Sequence, residues 1–209
     1  MTSTVFVLSP ARCSGERALQ LVNSKRSALG RQLRAREASL GAVFTWLSAL
    51  YFRGKLTYAQ RFATPGSLPG TLVMAPGLGL RAPELQLSAE QLKSMGKIDI
   101  ESRSFVRPLR RDAELLDHAH RGDVRVVLLG SIATGKYVDP LLDVFGERLL
   151  FPETFVGRGD MSRGGLLLRA AKSGEELAYR PVSGATLHGV RPPKLPKPAR
   201  PAPPKPAPC

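Results

Sequence analysis

Residues 124–145 read Val124-Arg-Val-Val-Leu-Leu129-Gly130-Ser-Ile-Ala-Thr-Gly135-Lys136-Tyr137-Val-Asp-Pro-Leu-Leu-Asp-Val-Phe145. Five of the first six are apolar, Arg125 being the exception, and three are β-branched valines, which predicts a buried strand. From Tyr137 onward the apolar residues recur at helical spacing, which predicts a helix with Pro140 in its first turn. A glycine-bearing loop joins the two. This strand–loop–helix unit decides the fold class.

The alternation of strands and helices continues on both sides of this unit. Thr4–Leu8 and Thr71–Ala75 are further apolar strands. Helices are predicted over residues 15–22, 41–51, 55–62, 89–94 and 108–118, with a helix or strand at 165–171 and a strand at 176–179. Pro108 is placed in the first turn of its helix. The pattern predicts a single α/β domain whose mostly parallel sheet is flanked by helices on both faces.

The chain of 209 residues divides into a domain at 1–188 and a tail at 189–209. The domain's apolar residues suffice for a core, because 43% of the whole chain is apolar. Nine of the 18 prolines lie from Pro192 onward, and proline lacks a donor N–H. The tail is therefore predicted to be disordered and extended, serving either as a proline-rich ligand or as a plain extension.

The net charge of +14 is concentrated in two places. The tail and the segment Lys25–Arg36 each hold five basic residues and no acid. A chain with this charge associates with polyanions through counterion release. Nucleic acid is thus a predicted partner, with arginine used only for solubility as the alternative.

The positions of the cysteines and histidines indicate which disulfide and metal sites the chain can form. Cys13 and Cys209 lie at opposite ends of the chain, and no apolar run is long enough to span a membrane. No basic segment precedes an apolar one at the N-terminus, so a cytoplasmic protein with free thiols is predicted. A helix dipole beside Cys13 would lower its thiol pKa. The three histidines have no ligand-type spacing, so neither a metal nor a cofactor is predicted.

The loop at 130–136 matches G-x-x-x-x-G-K in the strand-to-helix context of a phosphate-binding loop. Tyr137 departs from that motif, because a nucleotide triphosphatase needs Ser or Thr there for Mg²⁺. Three interpretations stay open: an anion site without hydrolysis, a degenerate phosphate loop of a nucleotide-dependent enzyme, and a plain turn. The candidate phosphate contacts are Gly130, Ser131, Thr134, Gly135 and Lys136.

Two further loops carry candidate residues. In the glycine-rich segment 155–165, Arg158 and Arg163 are suited to phosphate or carboxylate, and Asp160 is the candidate acid–base group or ribose contact. A flexible surface loop with an internal Arg–Asp pair is the alternative. Arg12 and Ser14 follow the first strand. Because ligands bind at the carboxyl ends of parallel strands, loops 9–15, 76–83 and 130–136 would line one edge if their strands are neighbours.

Three segments resemble the bacterial YaaA-type stress-response proteins. They are Tyr51-Phe-Arg-Gly54-Lys55-Leu-Thr-Tyr58, Val73-Met-Ala-Pro-Gly77-Leu-Gly79-Leu80, and Leu128-Leu-Gly130 with Tyr137 downstream. The resemblance covers about residues 4–170. Arg12 and Ser14 depart from it, since a lysine-rich first loop would be more typical. It implies an α/β fold that binds nucleic acid or a nucleobase, and it transfers no catalytic residue.

The sequence therefore predicts an α/β protein that binds nucleic acid or a nucleotide, and that acts on a nucleobase or nucleoside if it is an enzyme. The partner would be nucleic acid or a phosphate-bearing small molecule. A nucleotide-dependent enzyme with a degenerate phosphate loop is the second hypothesis. A non-catalytic protein that recruits a partner through its basic tail is the third.

Overall fold

A computed structural model of the chain describes residues 3–64, 69–133, 135–185, 189–190, 192–193 and 195. These residues form an α/β domain built on a six-stranded mixed sheet, which confirms the predicted fold class. Its strands are β1 Ser3–Leu8, β3 Thr71–Ala75, β4 Gly79–Arg81, β6 Val124–Leu129, β7 Leu149–Pro152 and β8 Tyr179–Pro181. Two short strands, β2 Ala38–Ser39 and β5 Gln86–Leu87, pair separately.

The helices of the described residues connect these strands. They are α1 Glu16–Asn23, α2 Ala28–Ala35, α3 Leu40–Phe62, α4 Ala89–Gly96, α5 Arg103–Ala119, α6 Val138–Phe145 and α7 Asp160–Ser173. Ser88 begins α4 with a complete capping box, since its hydroxyl accepts from the Gln91 N–H and the Gln91 side chain accepts from the Ser88 N–H. None of the described helices is long and apolar enough to cross a membrane.

The sheet has the order β4-β3-β1-β6-β7-β8. The four inner strands are parallel, and the two edge strands are antiparallel to their neighbours. On the faces, α3 packs against α7 and α5 packs against α6. Because β3, β1 and β6 are parallel neighbours, their carboxyl ends lie at one edge, as the sequence predicted. That edge carries the loops after Leu8, Ala75 and Leu129.

Several predicted boundaries are wrong. The helices predicted at 41–51 and 55–62 form the single element α3, which is broken at Ala49 rather than between them. The residues 79–81, predicted as loop, form β4, which pairs back onto β3. The last predicted strand lies at 179–181 instead of 176–179. Strand β7 and helix α2 are elements that the sequence patterns did not predict.

Two helices begin before their predicted starts. Helix α5 begins at Arg103, so Pro108 lies inside it rather than in its first turn. Helix α7 begins at Asp160, so much of the predicted glycine-rich loop is helical. The glycines there serve helix packing, because a Cβ on Gly164 would lie 2.8 Å from the Leu50 carbonyl oxygen and 2.8 Å from the Tyr51 Cα. A Cβ on Gly54 would lie 2.6 Å from the Gly164 carbonyl oxygen.

The start of the predicted tail contacts the domain where it is described. The Val190 carbonyl oxygen lies against Gly157, and a Leu195 methyl group lies 3.6 Å from the Cβ position of Gly165. Residues 191, 194 and 196–209, which hold most of the tail prediction, lie outside the described residues.

We expect Gly164→Ala to destabilise the fold and Gly165→Ala, its neighbour in the same helix, to leave it unchanged or stabilise it. The Gly164 methyl group would collide with the α3 backbone, at a cost of about 1–3 kcal/mol. The Gly165 methyl group meets only the Leu195 side chain at 3.6 Å, and alanine gains up to about 1 kcal/mol of helix propensity. Urea unfolding of both variants measures this. Equal effects would show that α3 and α7 do not cross this closely.

Candidate functional site

The point between β1 and β6 is where the strand order of the sheet reverses. The chain runs from β1 to β3 on one side and then returns to β6 on the other side. In open α/β sheets, ligands bind outside the carboxyl ends of the strands at such a switch point. Ser9 and Gly130 are the first residues beyond the two strands there, and the Ser9 N–H still donates to the Leu129 carbonyl at 3.2 Å.

The side chain of Lys55, a residue of α3, reaches this point with its ammonium group. Its side chain is only 1% exposed. The ammonium donates to the Ser9 carbonyl oxygen at 2.7 Å and to the Ser9 Oγ at 3.0 Å. Burial lowers the Lys55 pKa from 10.5 to about 7; the charge of Asp160 opposes that shift and the charge of Arg163 adds to it. No carboxylate among the described residues forms an ion pair with this ammonium.

Aromatic rings surround the Lys55 ammonium. Its Nζ lies 4.5 Å from the Tyr51 ring centroid and 4.9 Å from that of Phe52, which is cation–π geometry. The Tyr51 hydroxyl is buried and has no hydrogen-bond partner among the described residues. Burial raises the pKa of this hydroxyl. The Arg163 guanidinium opposes the rise through its positive charge and as a nearby donor, although it does not reach full hydrogen-bond geometry with the hydroxyl. A buried polar atom without a partner is rare in folded proteins.

Tyr137 lies beside Ser9 at the start of α6. Its hydroxyl accepts from the Ser131 N–H at 3.1 Å. Burial raises the Tyr137 pKa, and hydrogen bonds with Ser9 and the Ser131 N–H oppose that rise. Gly130 allows this contact, because a Cβ there would lie 2.8 Å from the Ser9 Cβ and 3.1 Å from the Tyr137 hydroxyl.

Helix α7 contributes one acidic and one basic side chain, Asp160 and Arg163. The Arg163 guanidinium donates to the Phe155 carbonyl at 3.2 and 3.1 Å. It also lies 3.7 Å from the Asp160 carboxylate. The Arg163 side chain is 12% exposed and that of Asp160 is 68% exposed, so Asp160 marks the solvent side. We call this set of residues the switch-point cluster: Ser9, Tyr51, Lys55, Tyr137, Asp160 and Arg163.

A kink in α3 and the helix crossing at Gly54 position the cluster. Ala49 has φ 46° and ψ −122°, a backbone conformation that favours glycine. The kink redirects the helix immediately before Tyr51. Gly54 then lets the α7 backbone approach at Gly164, the residue after Arg163 and about one turn after Asp160.

An apolar cavity of about 830 Å³ lies next to the cluster. Leu50, Met161 and Leu168 supply apolar walls, and Asp160 belongs to both the cavity and the cluster. The described tail residues Pro192, Pro193 and Leu195 also line it, together with the basic residues Arg158, Arg169 and Lys172. Its volume is in the range of pockets that hold drug-sized ligands.

The predicted phosphate loop contributes unevenly to the cluster. Gly130 and Ser131 contact it, whereas Lys136 is exposed and forms an ion pair with Glu101 at 3.0 Å. The Asp139 carboxylate lies against Gly135, where it would repel an anion. Thr134 lies outside the described residues.

The other predicted site residues divide in the same way. Asp160 and Arg163 belong to the cluster. Arg158 lines the neighbouring cavity and donates to the Thr154 carbonyl at 3.0 Å and to the Ser162 Oγ at 3.2 Å. Arg12 and Ser14 are exposed in the loop after β1, and no contact joins them to the cluster.

The predicted lowering of the Cys13 pKa is wrong. The thiol is buried, its Sγ donates to the Ala11 carbonyl at 3.4 Å, and burial raises its pKa to about 12. Loss of solvation outweighs the dipole of α1. Within the described ranges, no group of three or more His, Cys, Asp or Glu could hold a metal ion.

The sequence patterns did not select Tyr51 and Lys55 as site residues. One signal was available in the sequence. Tyr51, Lys55, Tyr58 and Ala59 recur at helical spacing on one buried face, and Lys55 is the charged member of that set. A lysine on an apolar stripe is almost never fully buried without a partner, so this position was a candidate.

Comparison of the chain with protein-family models, with curated proteins and with solved structures finds no match. The resemblance to YaaA-type proteins therefore stays a prediction. Several of the residues that carry it, Tyr51, Gly54, Lys55, Gly130 and Tyr137, meet at the switch point.

We expect Lys55→Met to remove a pH dependence of stability. The folded pKa of about 7 lies below the unfolded value of 10.5, so the unfolded chain binds more protons between these pH values and Lys55 makes stability rise with pH. From pH 7 to pH 9 the free energy of unfolding of the wild type should gain about 2 kcal/mol relative to the variant. Urea unfolding at both pH values measures this, with exposed Lys93→Met as the control. A constant difference would contradict the shifted pKa.

Proposed function

We propose that this chain binds a phosphate-bearing ligand of the nucleotide class at the switch-point cluster. The observation that carries the proposal is the Tyr51 hydroxyl, which is buried, makes no hydrogen bond of full geometry among the described residues, and lies beside the Lys55 and Arg163 side chains. A hydroxyl in this position can donate to an oxygen of a bound anion. That contact would satisfy a group that the protein itself leaves unpaired.

The charges of the cluster favour an anion. It holds the cations Lys55 and Arg163 and the single acid Asp160. Arg163 and Asp160 are 3.7 Å apart, so the Lys55 ammonium has no counter-ion of its own. Electrostatic attraction is stronger in a buried site than in water, and a phosphate group would supply the missing negative charge.

The neighbouring cavity favours a nucleotide over free phosphate. Its walls are mostly apolar, and Asp160 stands between it and the cluster. A base could pack on Leu50 and Leu168 while Asp160 accepts from a ribose hydroxyl. The contacts of loop 130–136 favour the cluster as the phosphate site, because Lys136 is paired and the Ser131 N–H is already bonded to Tyr137.

We expect AMP to raise the Tm of the full chain, and adenosine to raise it less because adenosine lacks the phosphate. Arg163→Gln should weaken AMP binding by about tenfold to a hundredfold, the loss of a charge-assisted hydrogen bond. Arg53→Gln, an exposed position on α3, is the matched control. Thermal shift and calorimetry measure both. Equal shifts with AMP and adenosine, or an unchanged affinity in Arg163→Gln, would contradict the proposal.

A second candidate function is binding of a nucleic-acid backbone by α1 and α2. No acid occurs between Arg17 and Arg36, and Lys25, Arg26 and Arg31 are exposed at the helix pair. The basic side chains there would contact phosphates without reading bases.

We expect the triple variant Lys25→Gln, Arg26→Gln, Arg31→Gln to bind duplex DNA more weakly and to lower the slope of log K against log salt by about 0.9 per lost phosphate contact. A control of equal charge removes exposed arginines elsewhere: Arg61→Gln, Arg121→Gln and Arg180→Gln. Fluorescence anisotropy at several salt concentrations measures the slopes. If both triple variants lower the slope equally, the effect is one of net charge and not of this helix pair.

A further inference from the structure

Ser9 and Lys55 have the geometry of a catalytic nucleophile and its general base. Their Oγ and Nζ atoms are 3.0 Å apart, within reach of direct proton transfer. We propose that Ser9 is a nucleophile, activated by Lys55, which accepts a phosphoryl group from a phosphate ester bound at the switch-point cluster. The proposal rests on the proposed function, since it assigns a reaction to the same site.

A third group orients the base. The Ser9 carbonyl oxygen accepts from the Lys55 Nζ at 2.7 Å, so the nitrogen is held in place beside Oγ. A neutral amine keeps this arrangement, because it still donates one N–H to the carbonyl while its lone pair accepts the Ser9 O–H. Nucleophile, base and orienting group are the three parts of an activated serine.

The surroundings match the charge that phosphoryl transfer develops. The Tyr51 hydroxyl and the Arg163 guanidinium lie near Lys55 and can donate to phosphoryl oxygens as their charge grows. Exposure falls from Asp160 through Arg163 to Lys55. The ester therefore approaches past Asp160, and its phosphorus meets Ser9 at the closed end.

The proposed reaction consists of two displacements at phosphorus, the first by the Ser9 Oγ and the second by water. The Ser9 Oγ attacks phosphorus and forms an O–P bond while its proton passes to the Lys55 Nζ. The ester P–O bond breaks, and the Lys55 ammonium returns the proton to the leaving oxygen. Water then attacks the phosphoserine; Lys55 takes a proton from that water and gives it to the departing Oγ.

Labelling of the full chain with diisopropyl fluorophosphate tests this chemistry. Attack by the Ser9 Oγ forms the same O–P bond and releases fluoride. We expect peptide mapping to find the adduct on Ser9, and Ser9→Ala to abolish it. Lys55→Met should slow labelling about a hundredfold. Ser48→Ala, at a half-buried serine of α3 outside the cluster, should change nothing.

The pH dependence of labelling in the wild-type protein is a second test. Labelling should rise through pH 7 and then level off, because the neutral Lys55 amine is the base and its pKa is about 7. No adduct on Ser9, or an unchanged rate in folded Lys55→Met, overturns the inference. If AMP stabilises the wild type but Ser9 is not labelled, only the catalytic inference fails. If Ser9 is labelled but AMP does not bind, the proposed ligand class fails instead.

Discussion

The close backbone crossing of α3 and α7 is the constraint on which the site depends. At Gly54 and Gly164 the two helices approach so closely that a Cβ on either residue would collide with the other backbone. Tyr51 and Lys55 flank this point on α3; on α7, Arg163 is the residue before Gly164 and Asp160 precedes it by about one turn. A wider crossing would move both pairs apart and bring water between them. Water would relieve the burial that lowers the Lys55 pKa.

The kink at Ala49 allows α3 to form hydrogen bonds at two places that lie in different directions. At its start, the Leu40 and Gly41 N–H groups donate to the carbonyls of Leu85 and Pro83. Further along, Lys55 is tied to Ser9 at the sheet edge. A straight helix would follow one direction only. The positive φ of Ala49 is an unfavourable conformation for alanine, and such strain persists only where the surroundings enforce it.

The sequence predicted the fold class and most of the inner strands because these depend on local patterns. Val124–Leu129 is apolar except for Arg125, and such a run has few alternatives to a buried strand. Adjacency of the three loops was predicted only on the condition that their strands are neighbours, and the strand order β3-β1-β6 meets that condition. The cluster was harder, because its residues come from four separate segments and Lys55 sits within an apolar helix face. Gly164 and Gly165 suggested a loop because a helical glycine that serves close packing has the same composition as a flexible one.

The charge of Lys55 needs an explanation beyond structure. Its hydrogen bonds to Ser9 tie α3 to the end of β1, but a neutral donor could make the same tie. Burying an ammonium without an ionic partner costs stability, as its lowered pKa records. A methionine of similar length would fill the space without that cost. What only the lysine supplies is a group that changes between a positive charge and a neutral amine near pH 7, as the proposed phosphate site requires. The unpartnered Tyr51 hydroxyl beside it has the same character, since it also is satisfied only when something binds. Two groups that lower stability at one sheet edge, at the switch point of the strand order, argue for a site that is completed by its ligand.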